Sequence, residues 1–152
     1  MAKSEVPAVV HLWLGELYRR GEQELHGSIN IDPAVRLPRV NGSRDAEILL
    51  EVGAADFGPS LRAHVEGCAA RVKEVLTALP SIQRYAVDCA PQDWADYHTA
   101  QPGGALIDRL FLDGIEVDRQ LRVSVVFDFG DLDSLVVQLN DQGHGAGVYV
   151  RP

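Results

Sequence analysis

The chain has 152 residues, a formal net charge of −8 at pH 7 and 46% apolar residues. This length and apolar content fit one domain with its own core, residues 1–152, and apolar residues spread along the whole chain exclude a disordered protein. No apolar run approaches the ~20 residues that span a bilayer. Pro7, His11, Gly15 and Glu16 interrupt the apolar stretch that a signal peptide would need, so the expected compartment is the cytoplasm.

Residues 9–18 and 23–31 read as two extended runs joined by a turn at Arg20-Gly21, a β-hairpin. A helix over 14–25 competes, because Leu14, Leu17, Tyr18 and Leu25 could share one face. Pro33, Pro38 and Asn41-Gly42 make 32–46 a loop, and 46–52 read as a strand. The strongest helix follows Pro59, which suits a first helical position. Leu61, Val65, Cys68, Ala69, Val72, Leu76 and Leu79 form one apolar stripe about five turns long. Pro80 stops that helix or starts the next. Residues 81–89 form a shorter helix, and Trp94 and Tyr97 sit on a further turn after Pro91.

Gln101-Pro102-Gly103-Gly104 breaks the helical pattern. Leu106, Leu110 and Leu112 lead to Asp113-Gly114, a hairpin-type turn. Residues 121–129 alternate, with Leu121, Val123, Val125 and Phe127 on one face. Turns at Gly130-Asp131 and Asp141–Gly143 then separate 134–140 and 147–150. Strands precede and follow the helices without alternating with them, which disfavours a doubly wound parallel sheet. The expected fold is α+β: an antiparallel sheet, made of an N-terminal hairpin and a C-terminal meander, with two or three helices on one face.

The acidity is uneven. Residues 85–141 hold eleven acidic and three basic residues, whereas 1–44 are nearly balanced. Such a field repels nucleic acid and anionic membranes and attracts a basic partner. Two cysteines are too few for a disulfide framework, and both read first as small buried hydrophobes. Cys68 and His64 stand at i, i+4 and can touch on a helix, a spacing that packing also produces. The five histidines lack zinc spacing, and Gly143–Gly147 lack the following helix of a phosphate cradle. No cofactor is expected.

Asp128, Asp131 and Asp133 could hold a hard cation, although the segment lacks the glycine and glutamate offsets of an EF-hand loop. Asp93, Trp94, Asp96 and Tyr97 combine aromatic and acidic character, as interface anchors beside a charged rim do. Trp94 and Tyr97 could equally plug the end of the core.

The strand at Ile48–Val52, Asp56-Phe57-Gly58, one amphipathic helix, a short second helix and a meander around Phe127-Asp128-Phe129 occur in that order. This pattern, over residues 46–150, resembles a group of small bacterial proteins of uncharacterised function, some of them predicted toxin-immunity proteins. The resemblance implies a protein-binding role without catalysis. The leading expectation is therefore an acidic binding module for a basic, toxin-like partner, with contacts at Asp93, Trp94, Asp96, Tyr97, Asp128, Asp131 and Asp133. A small metal-dependent enzyme using the aspartate cluster and a homodimer formed through a free strand edge are the alternatives.

Overall fold

A computed structural model describes residues 6–30, 45–53, 57–129 and 133–152. Eight strands form one sheet in sequence order: β1 Val9–His11, β2 Gly15–Arg20, β3 Glu24–Asn30, β4 Asp45–Glu51, β5 Phe111–Val117, β6 Val123–Asp128, β7 Ser134–Leu139 and β8 Gly145–Arg151. Between β4 and β5 lie four helices: α1 Leu61–Thr77, α2 Leu79–Asp88, α3 Gln92–Ala100 and α4 Leu106–Arg109. The α+β class stands, but the sheet is larger and mixed rather than antiparallel throughout, and four helices rather than two or three pack on it. Every neighbouring pair is antiparallel except β4 and β5, which run parallel with Ile48 beside Ile115 and Leu50 beside Val117. A parallel pair cannot be closed by a tight turn and needs a crossover, and the helices supply it.

The expected first strand is two strands. A tight turn at residues 12–14 separates β1 from β2, where His11 Nδ1 accepts the backbone N–H groups of Trp13 and Leu14 at 3.3 and 3.2 Å. Gly15 follows at φ 79°, a conformation that suits glycine. The competing helix over 14–25 does not form. Asp113-Gly114 is not a turn but lies inside β5, at a register shift between Leu112 and Gly114. A Cβ on Gly114 would stand 3.1 Å from the Glu47 carbonyl oxygen, so this glycine serves the close approach of β4. Leu79 opens α2 instead of closing α1, and Pro80 occupies that helix's first turn.

The sheet buries one face. Leu25, Ile48, Leu50, Ile115, Val125, Phe127, Leu135 and Val137 share it by register, and each is fully buried in one cluster with Val65, Cys68 and Val72 of α1 and Ile82 of α2. The opposite face carries Glu24, Glu47, Glu51, Glu116, Gln138 and Arg151. Val126 and Val136 are also on that face, yet are only 6% and 0% exposed. Above them Arg151 makes a two-pronged ion pair with Glu116 at 2.8 and 3.1 Å and donates to the Tyr149 hydroxyl at 3.0 Å. Arg151 is on β8 and Glu116 on β5, so the pair spans β6 and β7. In the register, Val126 and Val136 fall at the midpoint of that diagonal. The sheet must curl for the span to close. The Glu116 hydrogen bonds, then that of Tyr149, raise the Arg151 pKa above its ordinary value.

Two substitutions test this packing. Gly145→Ala would drive a Cβ into the Tyr85 ring of α2, and thermal melting should show a loss of about 1–3 kcal/mol. Arg151→Met and Glu116→Gln should each cost about 1 kcal/mol in urea denaturation, since the pair is half-exposed but doubly bonded. Their double variant should cost little more than either alone.

Candidate functional site

Helix α3 begins after Pro91 and carries Asp93 in its first turn, where a carboxylate suits the positive helix end. Trp94 and His98, one turn apart, face inward, at 7% and 4% exposure. Their rings are 4.4 Å apart, and both meet Phe129, at 5.0 and 4.5 Å. Arg109 caps this stack from α4's end: its guanidinium lies 5.0 Å from the Phe129 ring centre and donates to the His98 carbonyl at 2.9 Å. Tyr97 packs edge-on against His98 but is 60% exposed. Trp94 therefore plugs the end of the core, while Tyr97 offers its ring to solvent.

An open depression of about 600 Å3 adjoins this stack. Asp93, Trp94, Tyr97 and His98 line it from α3, Asp133 from just before β7, and Val150 from β8. Four of the seven residues singled out in the sequence thus converge: Asp93, Trp94, Tyr97 and Asp133. The other three do not. Asp96 accepts a hydrogen bond from Gln92 at 2.7 Å on α3. Asp128 ends β6 opposite Ser134, on the uncovered face. Asp131 lies outside the described residues, so the cation cluster proposed for 128–133 is described only at its ends. Among the described residues, no group of three His, Cys, Asp or Glu side chains is arranged to hold a metal ion.

Sequence reasoning did not count His98 or Val150 among the contacts. The i, i+4 spacing of Trp94 and His98 was a usable signal for the first. Nothing local marks Val150, which reaches the depression only because β8 pairs with β7 through Leu135. The Trp94 indole N–H is buried beneath the lining and has no acceptor among the described residues, an unsatisfied donor worth about 1–3 kcal/mol.

Two smaller concavities lie on the sheet face opposite the helices. One, about 440 Å3, is bounded by Glu24, Glu51, Glu116, Asp118, Arg122 and Gln138. Its carboxylates are largely paired: Glu116 with Arg151, Asp118 with Arg122 at 2.9 Å, and Glu51 with Arg119 at 3.6 Å. The other, about 300 Å3, lies beside Glu47 and Arg20.

Cys68 and His64 do meet, with Sγ 3.5 Å from Nε2. The same Nε2 lies 2.9 Å from the Glu51 carbonyl oxygen. A carbonyl only accepts, so Nε2 carries the hydrogen and cannot take the thiol proton. Burial, reinforced by the charge of Asp118, pushes the Cys68 thiol up to about 12. The arrangement is inert packing and lacks the activated thiolate of a nucleophile. Cys89, expected to be buried, is exposed at the cap just past the last residue of α2.

No family model, curated protein or solved structure matches this chain.

Thiol chemistry checks the Cys68 environment. An aromatic disulfide reagent at pH 8 should titrate one thiol in the native protein, Cys89, and two after unfolding. The unfolded thiol ionises from about pH 9.0 and the native one only near 12. The native state then binds more protons, so this group's contribution to stability is intact below pH 9 and is lost as pH rises toward 12. Cys68→Ala should flatten that part of the stability–pH curve relative to the parent protein.

Proposed function

We propose that the chain is a non-catalytic protein-binding module of the immunity type, which takes a basic partner at the depression beside α3. The observation that carries this reading is the convergence of two carboxylates, Asp93 and Asp133, and the exposed ring of Tyr97 on one open concavity. These residues are up to forty positions apart in the chain. An aromatic ring flanked by carboxylates suits a Lys or Arg side chain, which gains from the ring face and from the charges together. Tyr97 is amphipathic and held by α3, so little ordering is needed on binding. The acidic excess of residues 85–141 would speed encounter with a basic partner such as a toxin domain.

The test is affinity capture from a lysate of the source organism at low and moderate salt, read by mass spectrometry. The expected result is one basic partner, retained at low salt and lost as salt rises. Asp93→Lys/Asp133→Lys should weaken the purified complex about tenfold or more, near 1.4 kcal/mol. Glu22→Lys, in the distant β2–β3 turn, should leave it unchanged. Equal affinity in the double variant would remove the depression from the interface.

A further inference from the structure

We propose that the outer edge of β8 is a strand-docking site for an extended basic segment of a partner protein, which pairs with β8 and sends a Lys or Arg side chain into the depression beside α3. The proposal deepens the preceding reading and rests on it.

β8 is the last strand of the sheet and pairs only with β7 among the described residues. It is seven residues long, and none of them is buried. By contrast, β5 buries five of its seven residues and β6 and β7 four of six each. The backbone N–H and C=O groups of every second residue along β8 therefore point away from the sheet, a template for a further strand. Edge strands are commonly blunted by proline, by brevity or by bulges. The opposite edge, β1, is only three residues long, whereas β8 has no proline within it and its register shift lies at the far end, between Gln138 and Leu139.

The edge leads directly to the depression. Val150 is on β8 and lines the concavity, and its face is the helix-covered one, since it stands beside Leu135. A strand added to β8 would set a side chain about 5 Å from Val150 on that same face. That side chain would point between Tyr97, Asp93 and Asp133. Side chains alternate along a strand, so one residue in two of the docked segment faces the helices. The charge of the lining selects a cation there. Main-chain bonds would supply affinity and the depression specificity, as in strand-addition complexes generally.

The probe is an end-capped decapeptide of alternating Lys and Thr, titrated into isotopically labelled full-length protein and followed by NMR. Its controls are the Glu-Thr counterpart and N-acetyl-lysine methylamide, a single side chain that cannot form a strand. Saturable shifts are expected at the amides of β8 and at the Trp94 indole N–H, with outward β8 amides exchanging about tenfold more slowly. The Glu-Thr peptide should do neither. Val148→Pro and Tyr149→Pro add a structural check. Adjacent residues point opposite ways, so one of the two keeps the β7 ladder, and that variant should fold but lose the peptide's β8 protection. If the decapeptide and acetyl-lysine methylamide both shift Trp94 while β8 amides stay unprotected, strand docking is wrong and the basic-partner reading stands. If neither probe shifts Trp94, both fail. Protection of β8 that rises with protein concentration alone would assign the edge to a second copy and overturn the proposal.

Discussion

The parallel pairing of β4 with β5 is the constraint on which the architecture depends. Seven strand junctions order the sheet, and six of them are antiparallel neighbours. The remaining one joins two antiparallel meanders side by side and obliges the chain to cross the sheet between them. All four helices lie in that crossover, so their apolar stripes cover one face of the sheet. Among the described residues the other face carries no helix and is polar, and its two buried valines are sheltered beneath the Arg151–Glu116 pair. Gly114 matters here because a side chain at that position would meet the β4 backbone and open the joint.

The candidate site follows from where the crossover runs. Helix α3 meets the sheet at the ends of β6 and β7, where Phe129 and Asp133 stand, and beside Val150 of β8, the last strand of the described sheet. The same aromatic stack that closes the core there also builds the wall of the depression. Trp94 and His98 contribute burial, Tyr97 and Asp93 contribute surface, and both pairs come from one helix turned partly inward. A surface set on a packed helix and a sheet end is held more firmly than one set on loops.

Histidine and cysteine illustrate how context separates chemistry from packing. His64 and Cys68 have the spacing of a reactive pair, but the Glu51 carbonyl takes the imidazole's hydrogen and burial holds the thiol neutral. His11 uses its Nδ1 to fasten a turn, and its Nε2 rests 2.9 Å from Glu66 of α1 in an off-axis contact. In each case the ring ties a strand or turn to the helix layer.

Period and punctuation made much of this legible in advance. The alternation in 121–129 and 134–140 yields β6 and β7, the stripe from Leu61 to Leu76 yields α1, and Pro80 sits in the first turn of α2, whereas Pro59 falls one residue before the Ser60 cap of α1 rather than in its first position. These signals are local: each depends on which neighbours along the chain share a face. Asp113-Gly114 misled because a glycine that admits a neighbouring backbone looks the same in sequence as one that makes a turn. The hairpin turn at residues 12–14 was hidden because its fastening comes from a histidine side chain. Asp93, Trp94 and Tyr97 could be picked out by composition, but their union with Asp133, His98 and Val150 could not. Sequence by itself determined most of the elements, though not the split of β1 from β2 or the helix at α4, together with the acidic C-terminal part and the absence of a strong catalytic motif. Only the tertiary structure decided the parallel joint, the polar face opposite the helices, the place of β8 at the end of the described sheet and the depression, because each depends on contacts between residues far apart in the chain, which no local pattern encodes.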